Sequence, residues 1–148
     1  NTAMTRAMIV TVLYRMENKP NAAQNVFSDV PNGMWYTDAI SWAHRNNIVS
    51  GYSSDKFGPN DPVTREQAAV IMYRYAKMRN YNTAYTDSSL NKFSDKGSIS
   101  SYAVTAMKWA TSRGVMTGTS STTIAPKTNI TRAQTATMLK NFLEKTAR

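Results

Sequence analysis

The sequence predicts an all-α protein built from helical repeats, and three observations support this. A Thr-Arg pair occurs at Thr5, Thr64 and Thr131, and an apolar pattern with helical spacing follows it each time. Longer segments also return 67 residues later, so that "ISWAHRNNIVSG" is matched by "MKWATSRGVMTG". No segment alternates apolar and polar residues over a length useful for a strand. A fixed period combined with helical spacing is typical of stacked helix–loop–helix units.

The repeats divide the chain into two whole units preceded by part of another. We predict the second half of a first repeat in residues 1–20, a second repeat in residues 21–85 and a third in residues 86–148. The front half of the first repeat is absent, which predicts a truncated repeat or a cut at an exposed loop. A groove built on that half would then need another chain to supply the missing piece.

The first helix of each whole unit is predicted at about residues 35–46 and 101–113. Its apolar face contains residues at helical spacing: Trp35, Ala39, Trp42 and Ala43 in one unit, and Tyr102, Ala106, Trp109 and Ala110 in the other. Tryptophan at this spacing is usually a core residue. We therefore assign Trp42 and Trp109 to the core and leave Trp35 open as a platform for a sugar.

Glycine and asparagine mark the ends of these helices. Asn47 and Gly114 are predicted to adopt the left-handed conformation just past each helix end. A second glycine, Gly51 or Gly118, then turns the chain into a loop rich in Ser, Thr and Asp. One apolar residue in each loop is predicted to fix it to the core: Phe57 and Ile124.

The second helix of each unit is predicted to begin after its threonine. Complete capping boxes, in which Thr and Gln side chains bind each other's backbone amides, are predicted for Thr64 with Gln67 and Thr131 with Gln134. Thr5 keeps only half of the box because the fourth residue is a methionine. The predicted buried stripes are Val10, Leu13 and Met16; Ala69, Met72, Tyr75 and Ala76; and Ala136, Leu139, Phe142 and Leu143.

The arginine after each threonine is not explained by capping. It occupies the first turn of a helix, where a cation is unfavourable by roughly 0.3–1 kcal/mol. One hypothesis is structural, with the arginine bridging to a carboxylate of a neighbouring repeat such as Asp29 or Asp95. The other is an anion site, because a guanidinium beside exposed helix-start amides is a good receptor for carboxylate or phosphate.

Composition excludes several classes of function. The net charge is +9, and residues 93–148 hold eight basic and two acidic residues, but the basic residues are dispersed and predict no nucleic-acid binding. The absence of cysteine excludes disulfides and thiolate metal sites and fits an oxidising exterior. No apolar run is long enough for membrane insertion. His44 is the only histidine, and without a catalytic motif we predict no enzymatic activity, cofactor or metal.

The repeats resemble those of a known family. "VFSDV", "NNIVSGY" and "KFGPNDPVTREQAA" are similar to an S-layer homology repeat, and "KFSD…AMKWATSRGVMTG…IAPKTNITRAQTA" is similar to the next one. The resemblance covers essentially the whole chain. It implies a pseudo-threefold helical bundle that lies outside the cell and anchors bacterial surface proteins. It further implies that grooves between repeats bind an acidic, often pyruvylated, secondary cell-wall polysaccharide.

The resemblance also implies the site residues. The arginine of the family's Thr-Arg-Ala-Glu motif corresponds to Arg6, Arg65 and Arg132. With the motif and turn residues, the candidate glycan-binding set is Arg6, Arg65, Arg132, Trp35, Asp29, Gly51 and Gly118.

Two departures from the family pattern bear on this set. The motif glutamate is replaced by Met8, Gln67 and Gln134, so a carboxylate is missing from every copy. Ile99 to Tyr102 replaces the tryptophan turn in the third repeat, which predicts a degenerate groove or a different sugar. The alternative function is a structural or assembly module that contacts neighbouring surface-protein subunits.

Overall fold

The computed structural model describes residues 2–146, whose regular secondary structure is helical. Five α-helices are formed: α1 (Arg6–Met16), α2 (Thr37–Arg45), α3 (Arg65–Met78), α4 (Val104–Ser112) and α5 (Arg132–Lys145). Three 3₁₀-helices lie between α3 and α4, at Asp87–Leu90, Lys96–Ser98 and Ser101–Ala103. Within the described residues, β-structure is limited to isolated bridges. The prediction of an all-α fold is confirmed.

The chain forms two compact units. The N-terminal unit comprises Met4–Pro62, and the C-terminal unit comprises Asn1–Ala3 with Val63–Arg148. In the first unit α2 packs along α1, and in the second α4 packs along α3. Each unit therefore pairs the closing helix of one sequence repeat with the front half of the next repeat. The repeat boundaries at 1–20, 21–85 and 86–148 remain a prediction about sequence organisation.

The predicted helix caps are confirmed. The Thr64 hydroxyl accepts from the Gln67 amide, and the Thr64 amide donates to Gln67 Oε1 at 2.9 Å. Thr131 and Gln134 make the same pair of bonds, both at 3.0 Å. Thr5 forms only half of the capping box, since its hydroxyl accepts from the Met8 amide and Met8 has no side-chain group to return the bond. These caps depend on residues within one turn, which is why a sequence pattern locates them.

The predicted helix ends, core tryptophans and loop anchors are confirmed as well, whereas Met16 of the stripe predicted for α1 is only partly buried. Asn47 and Gly114 have φ angles of 60° and 70°, in the left-handed region. Trp42 is 4% exposed and Trp109 is fully buried. Phe57 and Ile124, which were expected to fix the two loops, are also fully buried.

The front helices begin later than predicted. Helix α2 begins at Thr37 and helix α4 at Val104, so Trp35 and Tyr102 precede their helices. Both side chains are largely exposed, at 57% and 59%, and neither belongs to the buried face on which the spacing placed it.

The stripe predicted for α5 is wrong in part. Phe142 is fully buried and packs against Tyr75, but Ala136 is exposed and Leu143 is 51% exposed. The equivalent residues of α3, Ala69 and Ala76, are fully buried. Helix α4 covers α3, whereas no helix in residues 2–146 packs along α5 to a comparable extent. Helical spacing alone does not reveal whether a neighbour is present.

Candidate functional site

Arg6 is buried in the loop that follows α2, within the N-terminal unit. Its side chain donates from Nε to the carbonyl of Phe57 at 2.9 Å and from Nη2 to that of Ser50 at 2.7 Å. The guanidinium carbon lies 4.7 Å from the centre of the Tyr52 ring and 4.4 Å from that of Phe57. Only 8% of the residue is exposed, so Arg6 ties the start of α1 to this loop beneath two rings.

Arg65 makes the equivalent contacts in the C-terminal unit. Nε donates to the carbonyl of Ile124 at 2.9 Å, and Nη2 donates to that of Thr117 at 2.5 Å. Burial lowers the pKa of the Arg65 guanidinium, and the charge of Asp95 opposes this shift. Thr119 stands where the other unit has Tyr52. Within the described residues no cation–π contact is found for Arg65, which is nevertheless only 5% exposed.

Arg132 differs from both. Its backbone amide donates to the carbonyl of Thr2 at 2.8 Å, as the Arg6 amide donates to Asp61 at 2.9 Å. The Arg132 side chain is nevertheless exposed, and it forms no hydrogen bond or ion pair within residues 2–146. Two of the predicted arginines thus hold a loop, and the third is available to a partner.

Asp29 and Asp95 each accept hydrogen bonds from backbone amides of the loop that the arginine of the same unit contacts. Asp29 accepts from Phe57 N and Gly58 N at 2.9 and 2.8 Å, and Asp95 accepts from Ile124 N and Ala125 N, both at 2.9 Å. Burial raises the Asp29 pKa, but these amides outweigh it and the pKa is lowered. The amide of Ile124 is the main cause of the lowered pKa of Asp95.

These contacts correct the hypothesis of a direct arginine–aspartate bridge in the C-terminal unit. Arg65 binds carbonyls of the loop and Asp95 binds its amides, so the two charges hold one segment from two sides. Their bonds go to the loop backbone rather than to each other.

Gly51 and Gly118 are required by close packing. A Cβ at Gly51 would lie 2.5 Å from a ring carbon of Phe27, and a Cβ at Gly118 would lie 2.7 Å from a ring carbon of Phe93. Both positions would also collide with a carbonyl oxygen of their own turn. The glycines therefore allow each loop to close on its phenylalanine.

An open cleft lies beside Arg65. It has a volume of about 230 Å³, and residues of the C-terminal unit line it: Arg65, Val115, Met116, Thr117, Gly118, Thr119, Ile130, Ala133, Gln134, Thr137, Met138 and Asn141. Arg65 is the only charged residue in this lining. The start of α5 supplies one wall and the turn after α4 supplies the other.

Trp35 is exposed in the N-terminal unit. Its ring packs edge-on against Tyr36, with the ring centres 4.9 Å apart and the planes at 85°. This contact fixes the ring from one side and leaves 57% of the residue exposed.

Sequence analysis missed a buried acid at the start of α3. The Glu66 carboxylate accepts from Ser100 N at 2.9 Å, Ser100 Oγ at 2.7 Å, Tyr102 Oη at 3.2 Å and Lys127 Nζ at 3.1 Å. Lys127 Nζ also donates to Ser100 Oγ. The available signal was the repeat alignment, since Ala7 and Ala133 occupy the same position in the other copies.

The environment of Glu66 keeps it ionised. Burial alone raises the pKa of this carboxyl, but the hydrogen bonds from Ser100 and the Lys127 ammonium outweigh it, and the pKa is lowered. The side chain is 3% exposed. A buried carboxylate of this kind is tolerated only while its donors remain in place.

No metal site or membrane span is found in the described residues. They contain no group of three or more His, Asp or Glu side chains arranged to hold a metal ion. None of their helices has the length and apolar character needed to cross a membrane.

Comparisons with known proteins agree with the repeat pattern. The model of the S-layer homology domain matches residues 26–69 and 92–136, more than half of the chain. An amylopullulanase of Thermoanaerobacterium thermosulfurigenes is 34% identical over 98% of this chain. An S-layer protein of Bacillus licheniformis is 29% identical over 92%, and a cellulosome-anchoring protein of Acetivibrio thermocellus is 36% identical over 66%.

The matched regions are small parts of these relatives. The chain spans 8% of the amylopullulanase, 14% of the S-layer protein and 21% of the cellulosome-anchoring protein. The same segment thus occurs in an amylopullulanase, an S-layer protein and a cellulosome-anchoring protein.

Proposed function

The chain belongs to the S-layer homology domain family, and on this premise we propose that it anchors a larger protein to the bacterial cell wall without covalent attachment. It acts outside the cell, at the wall. Relatives with different names share this segment over a small fraction of their length, which supports an attachment role rather than a catalytic one.

The ligand is an acidic cell-wall polysaccharide, and its acidic group is held by Arg65. A guanidinium has five N–H donors, and the two hydrogen bonds of Arg65 to the loop use only Nε and Nη2. The remaining donors suit a carboxylate such as that of a pyruvylated sugar. The observation that carries this proposal is that Arg65 is the only charged residue lining the open cleft.

The rest of the cleft suits a sugar. Thr117, Thr119 and Asn141 supply hydroxyl and amide groups for ring hydroxyls, and Met138 supplies an apolar surface. Pockets for drug-sized ligands have volumes of about 300–1,000 Å³. At about 230 Å³ this cleft takes one sugar unit of a longer polymer.

The other predicted contacts with the glycan remain predictions. Arg6 is covered by the rings of Tyr52 and Phe57, so its use by a ligand requires Tyr52 to move. Arg132 and Trp35 are exposed and open to contact. Asp29 and Gly51 contribute by shaping the loop rather than by touching the ligand.

Blocking the cleft tests the proposal better than removing Arg65, because Arg65 also holds the loop. Thr137 is exposed and lines the cleft. Thr137→Trp fills the space and is expected to reduce retention on purified wall polysaccharide at least about tenfold, equivalent to about 1.4 kcal/mol of binding. Thr105→Trp, also at an exposed threonine but on α4, is the matched control and is expected to bind normally.

Circular dichroism of both variants shows whether the fold is kept. Equal retention of the two tryptophan variants would remove the cleft as the binding site. Cell walls stripped of polysaccharide by acid distinguish glycan binding from the alternative function. Retention on stripped walls supports a module that contacts neighbouring surface proteins, whereas loss of retention supports glycan binding.

A further inference from the structure

Arg6 lies between two aromatic rings in the N-terminal unit. Its guanidinium carbon is 4.4 Å from the centre of the Phe57 ring and 4.7 Å from that of the Tyr52 ring. Phe57 is fully buried and Tyr52 is 57% exposed, so Phe57 lies on the inner side of the guanidinium and Tyr52 on the outer side. Tyr52 is therefore the side chain that stands between Arg6 and the solvent.

Two neighbours hold the Tyr52 ring in this position. Its hydroxyl donates to Asp61 Oδ2 at 2.8 Å. Its ring lies against the backbone of Gly58, where a Cβ would come within 2.4 Å of the ring carbon Cε2. Burial and the hydrogen bond to Asp61 raise the pKa of the Tyr52 phenol, which therefore keeps the proton that it donates. The ring is thus fixed at its hydroxyl and on one face.

The C-terminal unit lacks each part of this arrangement. The three positions that lie 67 residues later hold residues that cannot form such a cover: Thr119 for Tyr52, Ala125 for Gly58 and Thr128 for Asp61. Threonine has no ring to place over an arginine, and the Cβ of Ala125 stands at the position that must be empty for a ring to pack there. The three residues therefore differ between the units as a set.

The loop closes with the same turn in both units, so the side chains make the difference. The Tyr52 amide donates to the Lys56 carbonyl at 2.7 Å, and the Thr119 amide donates to the Thr123 carbonyl at 2.9 Å. The helix-start arginine of each unit donates to two carbonyls of its loop and is nearly buried. The two arginines are thus held alike. What differs is their neighbour, which is a tyrosine ring in one unit and an open cleft lined by Thr119 in the other.

Asp61 adds a negative charge that opposes an acidic ligand. Its carboxylate accepts from the Tyr52 hydroxyl, and its backbone carbonyl accepts from the Arg6 amide at 2.9 Å. A carboxylate this close to a helix start repels an incoming carboxylate or phosphate. The counterpart of Asp61 is Thr128, whose carbonyl accepts from the Arg65 amide at 2.8 Å and whose side chain has no charge.

We infer that Tyr52 and Asp61 close Arg6 to acidic ligands, so that of the two loop-holding arginines only Arg65 binds the acidic group of the glycan. The inference rests on the proposed function for the identity of the ligand. A ligand carboxylate at Arg6 has to displace the tyrosine ring, which loses the attraction between ring and guanidinium. It also has to approach the Asp61 carboxylate. The two units therefore have different roles in binding, although their helix starts match in sequence.

Chemical labelling tests the cover without any glycan. Phenylglyoxal reacts with guanidinium groups, and mass spectrometry of the peptides gives a rate for each arginine. The double variant Tyr52→Thr/Asp61→Thr copies the C-terminal unit. It is expected to speed labelling of Arg6 by about two- to fivefold, the factor that corresponds to one exposed cation–π contact, and to leave the rate at Arg65 unchanged.

Tyr85→Thr is the matched control, because Tyr85 is another exposed tyrosine, and it is expected to leave the Arg6 rate unchanged. Circular dichroism shows that each variant keeps its fold. Labelling of Arg6 in the double variant at the rate of the unmodified protein would overturn the cover.

Anion binding tests the restriction to Arg65. Pyruvate ion is the probe, because it carries a carboxylate of the kind proposed for the glycan, and nuclear magnetic resonance follows the Nε signal of each arginine. In the unmodified protein, pyruvate is expected to shift the signal of Arg65 and not that of Arg6. In the double variant Tyr52→Thr/Asp61→Thr, it is expected to shift both.

The outcomes separate this inference from the proposed function. A response of Arg65 with none from Arg6 in the double variant would overturn the inference and leave the proposed function standing. No response of Arg65 in the unmodified protein would contradict the proposed function, and the labelling rates would still decide whether Tyr52 covers Arg6.

The reverse exchange builds the cover at Arg65. The triple variant Thr119→Tyr/Ala125→Gly/Thr128→Asp supplies the ring, the space for it and the acceptor for its hydroxyl. It is expected to slow labelling of Arg65 and to abolish the response of Arg65 to pyruvate. Labelling of Arg65 at an unchanged rate, in a variant whose circular dichroism is normal, would overturn the role assigned to these three positions.

Discussion

Arginine at the first position of a helix has two different roles in this chain. Arg6 and Arg65 are structural, since each closes a loop by donating to two carbonyls. Arg65 combines this with a place in an open cleft. The unfavourable interaction with the helix dipole is small compared with two charge-assisted hydrogen bonds, which contribute about 1.5–3 kcal/mol each. The position is therefore favourable despite the dipole.

This difference predicts opposite results for one substitution at two equivalent sites. Arg65→Ala leaves the carbonyls of Ile124 and Thr117 without their donor and is expected to lower the free energy of unfolding by about 3 kcal/mol. Arg132→Ala removes an exposed side chain and is expected to change it by less than about 0.5 kcal/mol. Urea denaturation followed by circular dichroism measures both. Equal losses would mean that the Arg65 contacts do not hold the loop.

Residue identities alone did not separate these roles. All three arginines follow a capping threonine, and the sequence offered a bridge to Asp29 or Asp95 and an anion site as explanations. The carbonyl contacts were not predictable because any residue presents a carbonyl, so no side-chain pattern marks the acceptor. The buried Glu66 was missed for a related reason, since its donors Ser100 and Lys127 are distant in sequence and common in exposed loops.

The starts of the helices that begin after a capping threonine, α1, α3 and α5, were the most predictable elements. The Thr and Gln of each capping box lie three residues apart, and the bonds they form satisfy amides of the same turn. The exposed face of α5 was the least predictable, because its apolar residues keep the spacing of α3 and only the neighbour differs. A capping side chain specifies where a helix begins, whereas the buried face of a helix depends on which element packs there.

The capping box at α5 gives a prediction at the scale of one helix. Thr131→Ala removes the acceptor of the Gln134 amide and is expected to lower the free energy of unfolding by about 1 kcal/mol. Thr131→Ser keeps the hydroxyl and is expected to restore most of the loss. Thr137→Ala lies at an exposed position of the same helix and serves as the control. Thermal unfolding of the three variants measures these effects. Equal midpoints for Thr131→Ala and Thr137→Ala would mean that the cap does not stabilise the helix.

Acidic residues are few in the whole molecule and several of them are structural. The chain has nine acidic residues against eighteen basic ones. Three of the acids, Asp29, Glu66 and Asp95, bind backbone amides of neighbouring segments. Their hydrogen bonds lower the pKa of each, and for Glu66 the bond from the Ser100 hydroxyl contributes most to the lowering. The same arrangement of an aspartate on two loop amides occurs once in each unit. Loop closure in this protein therefore depends on ionised carboxylates.

This dependence predicts the behaviour of the protein in acid. A carboxyl with a lowered folded-state pKa binds fewer protons folded than unfolded, so its contribution to stability is complete above its unfolded pKa, about 4, and is lost as the pH falls through the folded value. The free energy of unfolding is expected to decrease steadily below about pH 4.

Glu66→Gln and Asp95→Asn each remove one such carboxylate and are expected to flatten the decrease while lowering stability at pH 7. Asp87→Asn changes a carboxylate that is 86% exposed and is the control. Urea midpoints measured from pH 7 to pH 2 provide the comparison. Parallel pH profiles for Glu66→Gln, Asp95→Asn and Asp87→Asn would contradict a structural role for the Glu66 and Asp95 carboxylates.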